Sequence, residues 1–458
     1  MKKTLFFAMT LLALFAWFFA GCGSSSNSSP SSLVGGTGSN TSGAGTPGAG
    51  SPGSSTGGTG GTGGTGGTGG SGGTSGAGGT GGSSGGGTTG PANEVALIQD
   101  FSISESSAPH AAVGLYSVNT TTGAVSPSFA GELIGPEGSA AMNPAGTFLV
   151  TVSSGFQIAA YAVHGQSAPT PTSTLPATGA GSDRTLFTPN GEFFYGGGIF
   201  GGIAAFSLDG SGKLATVPGS PFTPGGLPLG ITPDGKFLYV LSAANAGSDP
   251  FANQSINVFT IDSSSGSLTL VPGATTAIPS AGHQTGNGAQ RFVASAFTHS
   301  GRLLFLGDHT TGTVYSFALD GGTGTPRLVA TTTVGTVPPT AMTVSATDAQ
   351  LYVAEGQDID GFSINSSGSL APLNGGTPFT TIPASVPQGS GPPLFTTVDD
   401  IQADLTGNFL YVLTPNELFA FTINQGTGVL APNPGANLIA PGAPFNRPWG
   451  QIDFGNLK

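Results

Sequence analysis

The residues best equipped for chemistry in this chain are a few charged side chains that recur at one repeated place. Glu137, Arg184, Arg291, Asp399, Asp400 and Arg447 each lie at the start of an apolar segment that opens a repeated unit. Arg184, Arg291 and Arg447 are three of the five arginines after residue 94. Arginine offers a rigid fork of donors that matches a carboxylate or a phosphate. Asp308-His309 follows another strand segment and is expected to open onto the same side. A carboxylate or His309 there suits a general base acting on water. Arg291 suits the oxyanion formed when a carbonyl carbon is attacked. Arg291, Asp308 and His309 are therefore the catalytic candidates. Arg184, Arg447, Asp399, Asp400 and Glu137 are the candidates for holding a small anionic or carbohydrate-like ligand. The same charges can also pair with one another at the end of a channel without any chemistry.

Nothing else in the sequence offers a stronger site. His110, His164, His283 and His299 are scattered over different turns and loops, and no His, Cys or Asp spacing matches a metal centre. His299 stands in a repeat turn and reads as structural. Asp209-Gly210-Ser211-Gly212 and Asp320-Gly321-Gly322 resemble calcium loops but lack the later bidentate acid, so they read as turns. No Gly-x-Ser-x-Gly elbow joins a strand to a helix, and the glycine-rich stretches precede no helix. No metal or other cofactor is expected.

The elements that must position these residues form a repeat. Its clearest copy is Thr232-Pro233-Asp234-Gly235-Lys236-Phe237-Leu238-Tyr239-Val240. A strand from Ile256 to Ile261 follows, then a turn at Ser264-Ser265-Gly266 and a strand from Leu268 to Val271. Further copies begin at Asn143-Pro144, Thr188-Pro189, Thr298-His299, Ala346-Thr347 and Asp404-Leu405. A spacing of ~40–50 residues is that of propeller blades. Glycine supplies the positive φ of each tight reversal, and Asp, Asn and Ser support it with local hydrogen bonds. No segment keeps a helical period. The expected fold is all-β, a seven-bladed propeller of four-stranded blades. Val95 to Phe129 lacks an inner strand, and Pro448 to Phe454 reads as an inner strand with nothing after it. Joining them closes the ring and hides strand edges. The copy around Tyr161–Leu175 is irregular, which leaves six or eight blades as alternatives to seven.

Composition narrows the class. Charged residues make up 7% of the 458, and the net charge is −12. That balance argues against nucleic acid and against a polybasic membrane surface. Lys2-Lys3, an apolar run from Leu5 to Phe19 and the small residues Ala20-Gly21 precede Cys22, the single cysteine. This is an export signal, and Phe19-Ala20-Gly21-Cys22 resembles a bacterial lipobox. Residues 1–22 are thus expected to be a lipoprotein signal, with Cys22 lipidated and the protein anchored in the bacterial cell envelope. Residues 23–93 are almost wholly Gly, Ser and Thr. They cannot bury apolar area, so a disordered tether with a reach of roughly 40–50 Å is expected. Residues 94–458 form the propeller domain, expected to be monomeric.

The repeated Pro233-Asp234-Gly235-Lys236-Phe237-Leu238-Tyr239-Val240 and the turn Ile261-Asp262-Ser263-Ser264-Ser265-Gly266-Ser267-Leu268 resemble the seven-bladed lactonase family. That family includes bacterial 6-phosphogluconolactonase and the fungal muconate cycloisomerase. The repeats also resemble surface-layer propellers with Tyr-Val-Thr-Asn motifs. The resemblance spans about residues 95–458 and rests on strands and turns. It implies a metal-independent lactone hydrolase acting at the channel mouth. Family members tend to carry His-x-His before one Pro-Asp-Gly turn, and the corresponding Gln290-Arg291-Phe292-Val293-Ala294 has no histidine. The alternative is a non-catalytic propeller that binds a glycan, peptide or protein through its long connections, Ser242 to Ser255, Gly273 to Gln290 and Asn374 to Val398.

The lipobox reading has a direct test. Cys22→Ser is expected to move the protein from the membrane to the soluble fraction on fractionation. A variant that stays with the membrane would indicate a helical anchor instead.

Overall fold

The structure is a computed structural model. It describes residues 93–100, 111–127, 133–135, 138–153, 157–164, 167–176, 184–198, 201–243, 254–279, 294–308, 312–335, 337–382, 398–414, 417–436, 438–439 and 451–456. The signal sequence, Cys22 and the linker lie outside these residues, as do Glu137, Arg291, His309 and Arg447 and most of the three long connections. The described elements are β-strands and two single 3-10 turns, Asn374–Gly376 and Pro434–Ala436.

Seven antiparallel sheets are present among the described residues, six of them with strands in hairpin order and the seventh joining the two ends of the domain. Some carry a short fifth strand. Their innermost strands are Gly138–Met142, Arg184–Phe187, Leu227–Ile231, Ser295–Phe297, Ala341–Val344, Asp400–Ala403 and Gln451–Asn456. Neighbours in that order touch, and Gln451–Asn456 also touches Gly138–Met142, so the circuit closes. This is the arrangement of a β-propeller.

The two ends of the domain meet in one sheet. Gln451–Asn456 pairs antiparallel with Asn93–Asp100, from Glu94 opposite Asn456 to Gln99 opposite Gln451. Asn93–Asp100 then pairs with Ala111–Asn119, and that strand with Val125–Pro127. The inner strand missing from the first unit is thus supplied by the last, and 448–450 lie outside the described residues. The irregular unit also behaves as its sequence suggests. Gln157–His164 and Ser167–Pro176 pair with register shifts at Ala160/Tyr161 and at Ala162/His164.

Burial follows the pleat. Successive side chains of a strand point to opposite faces, and here both faces of the second strand are covered. Phe237, Tyr239 and Leu241 join a cluster with the following sheet, through Leu304, Leu306 and Phe317. Leu238 and Val240 join the preceding sheet, through Tyr195 and Ala205. Hence the run Phe-Leu-Tyr-Val is apolar without alternation. The apolar core is a series of clusters, each at the joint between two consecutive sheets.

Among the described residues, joints are registered by outer turns. Gly266 has φ +72, and a Cβ placed on it would lie 2.3 Å from the ring of Phe193 in the preceding sheet. The carbonyl of Gly266 accepts a hydrogen bond from the Tyr195 hydroxyl at 2.9 Å. The same link runs from Tyr352 to Gly428 at 2.9 Å and from Tyr411 to Gly123 at 2.8 Å. The last of these ties the closing sheet to its neighbour. Tyr239 breaks the pattern, because its buried hydroxyl has no hydrogen-bond partner.

The contrast between these tyrosines is measurable. Tyr411→Phe is expected to cost about 0.5–1.5 kcal/mol in denaturant unfolding, the net worth of one buried hydrogen bond. Tyr239→Phe is expected to be neutral or slightly stabilising. Equal losses in the two variants would refute the assignment.

Candidate functional site

Each inner strand begins at one end of the channel, so its first residues converge with those of the other strands. Arg184 is the first residue of Arg184–Phe187 and Asp400 the first of Asp400–Ala403. The Arg184 guanidinium reaches a different sheet, donating from Nη1 to Ser295 Oγ at 2.8 Å. Its Nε is buried and has no hydrogen-bond partner.

Asp400 Oδ1 accepts the Ile401 N–H at 2.9 Å, and Oδ2 accepts the Ile452 N–H of the closing strand at 2.8 Å. Asp453, on that closing strand, accepts the Met142 N–H of the next sheet through Oδ2 at 3.4 Å. Neutral contacts link other inner strands. Ser139 and Thr185 share a hydrogen bond of 2.6 Å, and Thr343 Oγ1 donates to Gln402 Oε1 at 3.4 Å.

The electrostatics follow from this enclosure. Burial pushes the Asp400 carboxyl up to about 7, against the pull of the Ile452 and Ile401 amides and of Arg184. Burial likewise raises Asp453 to about 6, against the Met142 and Phe454 amides and Arg184. Burial lowers the pKa of Arg184, and the charges of Asp400 and Asp453 oppose that shift. The site therefore holds a guanidinium and a carboxyl pushed up from its ordinary range, coupled through their charges. That combination suits general base catalysis next to an oxyanion donor.

Of the residues singled out in the sequence, Arg184 and Asp400 come together here. Asp399 precedes Asp400 and donates its N–H to the Leu413 carbonyl at 2.8 Å. Asp308 lies buried in its own sheet, where its Oδ2 accepts the Tyr315 hydroxyl at 3.1 Å. Glu137, Arg291, His309 and Arg447 fall outside the described residues. The inner strand after Arg291 begins only at Ser295, so Ser295 is the residue from this unit that meets Arg184.

Sequence reasoning missed Asp453 and Ser295. Asp453 carried a readable signal as the one acid in the closing strand, Gln-Ile-Asp-Phe-Gly-Asn. Ser295 carried none. The turn acids behave as turn caps. Asp209 accepts the Ser211 and Lys213 amides, and Asp320 accepts those of Gly322 and Thr323. His299 joins Asp348 of the next sheet at 3.1 Å.

A second acidic group lies at the end of another strand. Glu355 closes Gln350–Glu355, is 94% buried, and has one carboxylate oxygen without a hydrogen-bond partner. Burial first, then the charges of Asp360 and Asp358, push it up to about 7. Burial and Asp358 raise Asp360 to about 6. Asp358 is held by the Thr381 hydroxyl at 2.6 Å.

No protein-family model and no curated protein matches the sequence. Solved structures do match. The fold they share with this chain is a β-propeller. A candidate 6-phosphogluconolactonase from Bacteroides fragilis aligns with TM-score 0.57 at 16% identity, over 80% of this chain and 99% of that one. A periplasmic gluconolactonase from Pseudomonas aeruginosa, PpgL, aligns with TM-score 0.56 at 16% identity, over 80% and 100%. A candidate 6-phosphogluconolactonase from Bacteroides uniformis aligns with TM-score 0.53 at 18% identity, over 79% and 99%. At these identities the likeness is one of fold. The propeller expected from the repeats is the fold observed. Among the described residues no helix is long and apolar enough to cross a membrane.

Glu355 gives a prediction with a definite sign. Its folded pKa is raised from 4.5 to about 7, so the unfolded chain loses this proton first as pH rises. Stability therefore falls between about pH 4.5 and 7 and stays lower above. Glu355→Gln is expected to stabilise the domain at pH 8 by on the order of 1–2 kcal/mol, with little effect at pH 4.5. A variant less stable than wild type at pH 8 would show that the carboxylate has a stabilising partner.

Proposed function

We propose that this chain is an envelope-anchored lactonase-like propeller that hydrolyses a lactone in its channel. The observation that carries the reading is Arg184. It is a guanidinium in the channel with a buried, unpartnered Nε, and the Asp400 carboxyl beside it titrates at about 7. In this reading Asp400 takes a proton from water as the water oxygen bonds to the lactone carbonyl carbon. Arg184 donates to the oxyanion that forms. When the tetrahedral intermediate collapses, the ring C–O bond breaks and the leaving alkoxide takes the proton back from Asp400, giving the hydroxy acid. The chemistry uses no metal or other cofactor.

The seven sheets and their closed circuit support a seven-bladed ring. The lipobox at Cys22 and the glycine-rich linker support a lipid-anchored, tethered, monomeric domain in the cell envelope. Glu137, Arg291, His309 and Arg447 belong to the same proposal as members of the channel mouth, from their places beside the inner and second strands. The ligand would be small and anionic or carbohydrate-like. A second reading is binding without turnover, of a glycan, peptide or protein at the long-loop face. It is favoured by the two main-chain amides that Asp400 accepts, since a carboxylate so engaged also serves structure alone.

One assay separates the readings. The purified protein is offered a panel of sugar-acid and aliphatic lactones, with hydrolysis followed by proton release. Under the first reading Arg184→Lys lowers kcat/KM for the active lactone by about 10²-fold or more, with kcat falling more than KM rises. A correctly folded wild type that hydrolyses no lactone supports the second reading, and glycan and peptide arrays follow.

A further inference from the structure

The side-chain bonds between inner strands differ in span. Ser139 with Thr185, Thr343 with Gln402, Asp400 with the Ile452 amide and Asp453 with the Met142 amide each join adjacent strands of the ring. The bond from Arg184 Nη1 to Ser295 Oγ does not. Arg184–Phe187 touches Leu227–Ile231, and that strand in turn touches Ser295–Phe297, so the bond skips one sheet. The skipped strand, Leu-Pro-Leu-Gly-Ile, has no side chain that can accept from a guanidinium. Arg184 therefore spans part of the channel as a strut, with its far end on Ser295.

We propose that Ser295 is a positioning residue of this site, whose hydroxyl holds the Arg184 guanidinium out across the channel and keeps it from pairing with Asp400 or Asp453. A guanidinium free to move near carboxylates closes on one of them in a bidentate pair. The charges of both acids act on Arg184. Yet among the described residues neither acid forms a hydrogen bond or an ion pair with it. The acids are held elsewhere, Asp400 on the Ile401 and Ile452 amides and Asp453 on the Met142 amide. Cation and carboxyls are thus kept apart by separate anchors, and Ser295 is the anchor of the cation. The remaining charge nearby is Asp399, beside Asp400. Gly138–Met142, Leu227–Ile231, Ser295–Phe297 and Ala341–Val344 contain no ionisable side chain. A separated pair is what hydrolysis requires, since the base is then not neutralised and the donor not occupied before substrate arrives. The effect on turnover rests on the hydrolase reading, whereas the strut does not.

Crystal structures of the full chain, wild type and Ser295→Ala, test the strut. In the wild type Arg184 is expected to bond Ser295 and to stand apart from both acids. In Ser295→Ala the guanidinium is expected to move to within about 4 Å of Asp400 or Asp453, the range of an ion pair. A wild-type Arg184 already paired with either acid overturns the proposal, and so does a variant guanidinium that keeps its place. Kinetics on the active lactone test the consequence. Ser295→Ala is expected to lower kcat by about 10- to 100-fold with a smaller change in KM. Ser295→Thr, which restores a hydroxyl, is expected to recover most of the loss. The limb of the kcat profile set by Asp400 is expected to move to lower pH in Ser295→Ala, because a paired cation favours the ionised carboxyl. A variant that keeps the wild-type kcat and the wild-type limb overturns the positioning role. If the guanidinium moves as expected while wild type hydrolyses no lactone, the strut stands and the hydrolase reading fails.

Discussion

The structure depends on one joint, repeated around the ring: a glycine turn of one sheet seated on the aromatic second strand of the sheet before it. Positive φ at the turn brings the backbone against the Phe193 ring at Gly266 and against Phe409 at Gly123. The tyrosine two residues further along the strand then reaches the turn carbonyl. The fit sets the spacing and tilt of neighbouring sheets together. Apolar burial supplies the bulk of the attraction, at roughly 25 cal/mol per Å², but it is not directional. The hydroxyl-to-carbonyl bond and the missing Cβ are what fix the register.

Because every sheet is placed by its neighbours, the first residues of the inner strands are brought around a common axis. Arg184 and Ser295 come from two sheets and share a hydrogen bond, and Asp400 holds the Ile452 amide of the closing strand, although neither pair is close in sequence. Their chemistry is a product of enclosure. Arg184 and the two acids would titrate ordinarily on a wet surface. In the channel, burial raises both carboxyls while the amides and the guanidinium hold them back from a larger shift.

Most of the fold was legible because its signals are local and repeated. Phe237-Leu238-Tyr239-Val240 is apolar on both faces, and Gly266 marks the turn that follows two strands later. The pairing of the chain ends was legible from a strand missing at one end and spare at the other. The site was legible only in part. Arg184 and Asp400 stood out because charges are rare here, in 7% of residues. Ser295 is an ordinary serine until the ring brings it to Arg184, and the strand it opens starts four residues after Arg291. Asp308 looked like a loop acid beside the channel, yet it is buried with Tyr315. Glu355 carried no signal in the sequence, and only the packing of its neighbours makes it buried. For Ser295 the missing information was which sheets meet, which no local pattern encodes.

The closing sheet also constrains the order in which the molecule can be made. Asn93–Asp100 emerges early in synthesis, and its partner Gln451–Asn456 emerges last. Until then the early strand has one edge with no ladder, and an unpaired edge is a template for foreign strands. Hairpins of intervening sheets can form as they appear, because their contacts are local. The seam must wait for the longest loop in the chain to close. For a nascent chain the interval between these two strands is the period of greatest exposure to misassociation.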